Sequence, residues 1–98
     1  MKSKNKRIGW TPLALNDLVE IRDFIRRDKP EAAKKEATRI QKSVERLAFF
    51  PKSGKECQAL SGVRQLTTGS YQIFYQALSS QVVILRIYHG KRQPLEAL

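Results

Sequence analysis

The first half of the chain repeats apolar residues at the spacing of an α-helix. Its first apolar stripe, with steps of four, three and four positions, consists of Ala14, Leu18, Ile21 and Ile25. Thr11 suits the N-cap of this helix, and Pro12 suits its first position because the missing N–H has no helical partner there. The helix should stop near Asp28 and Lys29, since a residue before proline is pushed out of the helical region. The acidic residues fall largely off the stripe and are Asp17, Glu20 and Asp23.

A second amphipathic helix should begin at Pro30 and end at Pro51 and Gly54. Its apolar stripe is Ala33, Ala37, Ile40, Val44 and Leu47. A short connection between two such helices favours an antiparallel hairpin whose stripes pack into the core. Phe49 and Phe50 are exceptions, because two adjacent aromatic residues at a helix end cannot both face one core.

The second half alternates apolar and polar residues in the manner of β-strands. Three segments, VRQLTTG, YQIFYQA and QVVILRIYH, are separated by TGS and LSS, which favour the tight turns of an antiparallel meander. On the middle strand, one face carries Tyr71, Ile73, Tyr75 and Ala77, and the other carries Gln72, Phe74 and Gln76. If the last strand alternates strictly, one face carries Val83, Leu85, Ile87 and His89, and the other carries Val82, Ile84, Arg86 and Tyr88.

These elements predict one domain over residues 1–98 with an α+β fold. A small antiparallel sheet packs against the antiparallel two-helix hairpin in the order β-α-α-β-β-β, with a short N-terminal strand, KRIGW, at one edge. The apolar run at residues 82–85 is as long as any in the chain and is too short to cross a bilayer. The basic N-terminus lacks the apolar region of a secretory signal, so a cytoplasmic location is expected.

The numbers of cysteine, histidine and charged residues limit the kinds of site and partner that the chain can have. Cys57 is the single cysteine and His89 the single histidine, so we expect no internal disulfide, no metal and no cofactor. There are 19 Lys and Arg against 9 Asp and Glu, a net charge of +10 that attracts polyanions or an acidic protein. No acidic residue lies between Glu56 and Glu96, whereas this span contains Arg64, Arg86, Lys91 and Arg92.

Several short motifs occur in a specific order along nearly the whole chain. They are WTPxAxxDL near the start, RLxxxPxxG at the end of the second helix, and then VRQL, YQIFYQ and VVILRIYHGKRQP. With these motifs in this order, over residues 8–94, the chain resembles the RelE/ParE superfamily of bacterial type II toxins. The resemblance implies a small sheet packed on a helical hairpin, and a toxin encoded beside an antitoxin that neutralises it.

The superfamily contains two chemistries. RelE-like members cut messenger RNA in the ribosomal A site, whereas ParE-like members inhibit DNA gyrase. Cutting RNA at the 2′-hydroxyl requires a proton acceptor, a proton donor for the leaving oxygen, and cations that stabilise the charged phosphorane. If the chain is a nuclease, the resemblance implies Arg64, His89 and Arg92 as its catalytic residues.

The set of groups needed for RNA cleavage is incomplete in this sequence. Gln72 stands where the nucleases place the arginine of the middle strand, and its amide is neutral at every pH. Leu98 lies near where a tyrosine is expected, and no carboxylate between Glu56 and Glu96 can pair with His89. The sequence therefore favours a ParE-like inhibitor of DNA gyrase. A RelE-like ribosome-dependent mRNA endoribonuclease is the alternative, and a non-specific, salt-sensitive nucleic-acid-binding domain is a third hypothesis.

Two sets of contact residues follow from this interpretation. Side chains predicted to bind the target, partly through bidentate bonds to its carboxylates, are Arg64, Arg86, His89, Lys91 and Arg92. A surface arginine and a hydrogen-bonded histidine at a strand end are the structural alternatives. Antitoxins of these systems carry an acidic disordered segment that folds on the toxin and buries apolar anchors. We expect a 1:1 contact of this kind, within a toxin–antitoxin hetero-oligomer, at Phe49, Phe50 and Phe74.

Overall fold

A computed structural model of the chain describes residues 5–90, and for residues 24–28 it describes the backbone alone. The elements in chain order are β1 (Arg7–Trp10), α1 (Pro12–Asp28), α2 (Pro30–Arg46), β2 (Lys55–Glu56), β3 (Arg64–Thr68), β4 (Tyr71–Ala77) and β5 (Gln81–His89). The predicted α+β class is confirmed. The two-residue strand β2 is an addition that the sequence pattern does not predict. No helix within residues 5–90 combines the length and the apolar character needed to cross a membrane.

The strands form one mixed sheet in the order β1-β5-β4-β3-β2. β1 runs parallel to β5, with Arg7 opposite Gln81 and Trp10 opposite Ile84, and the other neighbouring strands are antiparallel. The prediction of a wholly antiparallel sheet is therefore wrong for β1, which is parallel to β5. Alternation of apolar and polar residues tells which side chains share a face, but strand direction depends on the path of the chain between strands.

Both helices begin and pack as their sequence signals predict. The Ala14 N–H donates to the Thr11 hydroxyl oxygen at 3.0 Å, which caps α1. Lys29 alone separates α1 from α2, and the two helices pack together as a hairpin. Pro30 occupies the first turn of α2. α2 ends at Arg46, before the predicted stop, and the chain continues in turns.

Two clusters of buried side chains lie on the two faces of the sheet. The inner cluster joins the sheet to the helices and contains Ala14, Ile40, Val44, Leu47, Tyr71, Ile73, Tyr75, Val82, Ile84 and Ile87. The outer cluster lies on the face away from the helices and contains Cys57, Val63 and Phe74. Burial raises the pKa of the Cys57 thiol, so this thiol is protonated near neutral pH. Members of both helical stripes thus supply the core as predicted, and the predicted stripe residue Ile25 has its side chain outside the described part of the chain.

A β-bulge in β5 changes which of its residues share a face. Two consecutive residues of β4 pair with Ile84 and Arg86, which leaves Leu85 as an extra residue. Beyond it the alternation restarts out of phase, and Ile87 joins Ile84 in the inner cluster. The predicted alternation of β5 is therefore wrong beyond Leu85, because one inserted residue reverses the face of every later side chain.

Candidate functional site

α1 covers the edge of β5 beyond the point where β1 ends. The Thr11 N–H donates to the Ile84 carbonyl at 3.0 Å, and the Thr11 hydroxyl donates to the Leu85 carbonyl at 2.8 Å. Farther along, the Ile87 N–H donates to Asp17 Oδ2 at 2.9 Å. These backbone groups of β5 are therefore satisfied by the start of α1 in place of a strand. We call this stretch the helix-covered edge.

Asp17 and Arg86 form a buried two-pronged ion pair at the helix-covered edge. Arg86 Nε donates to Asp17 Oδ2 at 2.8 Å, and Arg86 Nη2 donates to Asp17 Oδ1 at 3.0 Å. Only 8% of the Asp17 side chain and 22% of the Arg86 side chain are exposed. The hydrogen bonds raise the pKa of Arg86 above its usual value, and its Cζ lies 4.6 Å from the centroid of the Tyr88 ring. Arg86, predicted to bind a target, is thus engaged within the fold.

Arg64 is also engaged, with the loop between α2 and β2. Its Nη1 donates to the Gly54 carbonyl at 2.7 Å, and its Nη2 lies 3.4 Å from Glu56 Oε2. The buried Tyr75 hydroxyl donates to the Pro51 carbonyl at 2.8 Å and accepts from the Gly54 N–H at 2.9 Å. Burial raises the pKa of Tyr75, so its hydroxyl remains a donor at neutral pH. These two side chains hold the loop against the end of the sheet.

The outer face of the sheet carries a cluster of uncharged polar side chains. Gln72 Oε1 accepts from Gln65 Nε2 at 2.6 Å and from the Thr67 hydroxyl at 3.1 Å. Gln72 is only 7% exposed, so its neighbours supply the bonds that water cannot. Gln72, for which the resemblance implies an arginine in nucleases, is therefore part of a neutral hydrogen-bonded network with Gln65 and Thr67, which we call the glutamine cluster.

The three phenylalanines predicted to bind an antitoxin have different surroundings. Phe74 has no exposed surface, because it packs with Cys57 and Val63 in the outer cluster, and it offers no anchor to a partner in this fold. Phe49 is 56% exposed and Phe50 is 61% exposed. The last two remain candidates for contact, and the prediction for Phe74 is corrected.

A groove of about 880 Å³ lies beside Phe50. One wall is the end of α2 and the loop after it, which contribute Arg46 and Lys52. The other wall is β3 at residues 66–68 and the turn that follows. The Ser43 hydroxyl donates to Thr68 Oγ1 at 2.9 Å, so α2 and β3 are joined at the base of the groove. Sequence reasoning did not foresee this groove, because its walls come from distant parts of the chain.

The predicted catalytic residues do not converge in the described part of the chain. Arg64 pairs with Tyr75 and His89 pairs with Tyr71, so the two lie about 13 Å apart along the strands. His89 is exposed, and its ring meets the Tyr71 ring edge-on with centroids 5.2 Å apart. The residues named from the sequence that lie outside residues 5–90 are Lys91, Arg92, Glu96 and Leu98. Among the side chains described, no three His, Cys, Asp or Glu residues gather as a metal ion needs.

Asp17 is the polar residue that sequence reasoning misjudged. The stripe pattern places it largely off the buried face, yet it is only 7% exposed. A signal was present, because Asp17 lies three residues after Ala14 and four before Ile21 and so shares their face of α1. A carboxylate on a buried stripe requires a partner. Arg86 supplies that partner from 69 residues farther along the chain.

Known proteins of similar sequence cover almost all of the chain. The family model for the ParE toxin of the type II toxin–antitoxin system parDE matches residues 8–94. The Sinorhizobium fredii protein Y4kP is 38% identical over 90 residues, which cover 90% of this chain and 92% of that protein. Toxin RelE2 of Caulobacter vibrioides is 36% identical over 87 residues, which cover 88% of this chain and 97% of that toxin.

Solved structures share the fold. A chain of the chromosomal ParDE toxin–antitoxin system from P. aeruginosa matches with a TM-score of 0.78 at 26% identity, covering 91% of this chain and 100% of that chain. A chain of the RelBE2 toxin–antitoxin complex from Mycobacterium tuberculosis matches with a TM-score of 0.64 at 22% identity, covering 87% of this chain and 98% of that chain. Because the family model spans residues 8–94, the chain belongs to the ParE toxin family of type II toxin–antitoxin systems, within the RelE/ParE superfamily.

Proposed function

We propose that this toxin is a ParE-type inhibitor of DNA gyrase and not a ribosome-dependent nuclease. The glutamine cluster carries the proposal. Cleavage of RNA needs cations that stabilise negative charge on the scissile phosphate. The outer face instead presents the mutually bonded side chains of Gln65, Thr67 and Gln72. A neutral amide whose acceptor is already occupied cannot take the role of a catalytic arginine.

The arginines of β3 and β5 support the same proposal. Arg86 holds the Asp17 carboxylate, and Arg64 holds the Gly54 carbonyl and the Glu56 carboxylate. These bonds hold each guanidinium within the fold and leave fewer of its five N–H donors for a phosphate. Both arginines therefore stabilise the fold, and the proposed target contact is the exposed His89 together with Lys91 and Arg92.

A co-encoded antitoxin is the proposed protein partner. The similar P. aeruginosa chain comes from a ParDE toxin–antitoxin system, and the M. tuberculosis chain comes from the RelBE2 toxin–antitoxin complex. The net charge of +10 and the exposed Phe49 and Phe50 suit a partner with acidic and apolar residues. Action on gyrase would place the toxin in the cytoplasm.

The decisive experiment compares two activities of one preparation. The full-length chain is added to a gyrase supercoiling reaction and, in parallel, to ribosomes translating a defined messenger RNA. We expect supercoiling to be inhibited and the message to remain intact. Cuts mapped to ribosome-bound codons, with supercoiling unaffected, would establish the RelE-like alternative. DNA binding that needs no gyrase and disappears with added salt would support the third hypothesis.

His89 is tested in the same reactions. We expect His89→Ala to weaken gyrase inhibition while the thermal unfolding midpoint stays unchanged, because the side chain is exposed. Lys34→Ala, which also removes an exposed side chain, serves as the control and should inhibit as the unaltered chain does. A lowered midpoint without loss of inhibition would assign His89 to packing against Tyr71.

A further inference from the structure

Four cations lie in a row along the exposed side of α2. They follow one another at steps of four, three and four positions and are Lys35, Arg39, Lys42 and Arg46. At about 100° per residue, these steps keep all four within an arc of about 60°, and the row is about 17 Å long. All four residues are exposed. We call them the cationic row.

The acidic residues in this part of α2 do not cover the cationic row. Glu36 and Glu45 lie about a quarter of a turn to either side of it. Arg39 Nη1 is 3.7 Å from Glu36 Oε2, and the Arg39 side chain is 55% exposed, so this ion pair contributes little energy. The Arg39 guanidinium therefore keeps N–H donors for a ligand.

The face of α2 that carries the cationic row is polar throughout. Every exposed residue from Lys35 to Arg46 is polar, and the exposed Phe49 and Phe50 lie beyond the end of α2. A stable protein interface has an apolar centre from which charged residues are largely excluded. Proteins that hold a single nucleic-acid strand stack its bases on aromatic side chains. The cationic row therefore suits neither an acidic protein surface nor a single strand.

The phosphate backbone of a nucleic-acid duplex fits these features. In such complexes, lysine and arginine side chains contact phosphates without reading the bases. Thr38, which is exposed beside the cationic row, adds a hydroxyl of the kind that also bonds phosphates. A segment of duplex as long as the row carries about five phosphates on each strand, so there are enough phosphates for all four cations.

We propose that the cationic row binds the phosphate backbone of duplex DNA while the toxin acts on gyrase. The choice of DNA rests on the proposed function, because DNA is the molecule that gyrase supercoils. Four phosphate contacts give only weak binding at the salt concentration of a supercoiling reaction, so gyrase supplies the rest of the affinity. In a non-specific nucleic-acid-binding domain, by contrast, cations anywhere on the surface would contribute.

Direct binding is measured with the full-length chain and without gyrase. The probe is a fluorescein-labelled DNA duplex of about 20 base pairs, longer than the cationic row, and its anisotropy reports the affinity between about 20 and 100 mM salt. Each phosphate contact adds about −0.9 to the slope of log affinity against log salt, so four contacts predict a slope of about −3.6. A second duplex of different sequence should bind equally, since phosphates carry no sequence information.

Two double variants with the same change in net charge locate the contact. Lys35→Gln with Lys42→Gln removes two cations of the row, and glutamine is about as good a helix former as lysine. We expect the slope to shrink to about −1.8 and the affinity at the lowest salt to fall about tenfold or more. Lys34→Gln with Lys55→Gln removes two exposed lysines outside the row and should leave both values unchanged. The thermal unfolding midpoints of both variants should match that of the unaltered chain.

The same double variants are compared in the supercoiling reaction. We expect Lys35→Gln with Lys42→Gln to require severalfold more toxin for half-inhibition, and the control variant to require no more than the unaltered chain. Equal inhibition by both variants would overturn the inference and leave the proposed function standing. If the unaltered chain does not inhibit gyrase, the proposed function fails, and the slopes measured without gyrase still decide whether the row contacts a duplex.

Three further results would overturn the inference. Equal changes of slope in the two double variants would mean that the net charge alone attracts DNA. Unequal affinities for the two duplex sequences would show contacts to bases in place of a contact to phosphates alone. Displacement of the duplex by a peptide of alternating Glu and Ser, at the same concentration of charges, would assign the cationic row to an acidic protein partner.

Discussion

The helix-covered edge of β5 and the open edge of β3 present the same backbone chemistry in two different states. Both strands extend past a shorter neighbour, β1 in one case and β2 in the other. At β5, Thr11 and Asp17 of the chain itself satisfy the exposed groups. At β3, no described strand continues the sheet beside residues 66–68. One edge is therefore closed by the fold, and the other has no neighbouring strand in the described part of the chain.

The difference shows where stability resides in this molecule. Closing the β5 edge requires a buried carboxylate and a partly buried guanidinium, and such a pair costs desolvation energy that its own attraction must offset. The pair is expensive to break, because either partner alone would be an uncompensated buried charge. The β3 edge contains no comparable bond within the described chain, so changes there should affect folding less than changes at the β5 edge.

Asp17→Ala should give the largest loss of stability. It leaves Arg86 without its carboxylate and the Ile87 N–H without an acceptor, both mostly buried. We expect the free energy of unfolding, measured by urea denaturation, to fall by about 3–5 kcal/mol. The double variant Asp17→Leu with Arg86→Met should recover part of this loss, since it removes both charges. A loss below about 1 kcal/mol for Asp17→Ala would mean that the pair behaves as an exposed one.

Tyr75→Phe should have the next largest effect. The hydroxyl bonds the Pro51 carbonyl and the Gly54 N–H, and Tyr75 itself has no exposed surface. Its removal leaves buried backbone groups without partners, so we expect unfolding to become easier by about 1–3 kcal/mol in the same urea experiment. An unchanged urea midpoint would show that water replaces the hydroxyl.

Thr11→Val should have a smaller effect at the helix-covered edge. The hydroxyl accepts from the Ala14 N–H and donates to the Leu85 carbonyl, and valine keeps the shape without either bond. We expect a loss of about 1–2 kcal/mol, the usual cost of removing an N-cap. Thr38→Val, at an exposed position of α2, is the control and should change little. Equal effects of the two variants would show that the Thr11 hydroxyl does not stabilise the helix-covered edge.

Thr67→Pro should change folding least. Thr68 pairs with Tyr71 across a turn of two residues, which a hydrogen-bonded pair flanks, so the neighbouring Thr67 occupies a non-bonded position of the ladder. Its N–H points away from β4, so no bond of the ladder is lost, although the hydroxyl bond to Gln72 Oε1 is. Thr67→Val loses the same hydroxyl bond, so the free energies of unfolding of the two variants should agree within about 0.5 kcal/mol. This variant is the counterpart of Asp17→Ala at the other edge, and thermal or urea unfolding compares the two directly. A loss in Thr67→Pro that exceeds the loss in Thr67→Val by 1 kcal/mol, about the worth of one hydrogen bond, would show that the Thr67 N–H is bonded within the chain, which contradicts an open edge.

The local pattern of apolar and polar residues was sufficient to predict the two helices and the meander. The stripe residues Ala14, Ile40 and Val44 are buried as their spacing predicts, and Thr11 caps α1. Turns at the predicted TGS and LSS segments separate β3, β4 and β5. These features depend on residues that are close together in sequence, and over that range the periodicity of apolar residues predicts secondary structure.

Residues of the candidate site were harder to predict. Arg64 and Arg86 were assigned to a target, and the structure places both in bonds within the fold. Phe74 was assigned to a partner surface, yet the segment containing Cys57 and Val63 packs over it. A charged or aromatic residue on a strand has the same local sequence whether it faces solvent or another part of the chain. Whether it faces solvent or is covered depends on which distant segment packs beside it in the fold.

Motif order and short-range spacing were enough to predict the family, the two helices and the three-stranded meander. Four features became visible only in the folded chain: the parallel direction of β1, the bulge at Leu85, the pairing of Asp17 with Arg86, and the open edge beside the groove. Each of these depends on which distant segments meet. Periodicity along the chain cannot encode that, because it describes a residue's face and not the residue opposite it.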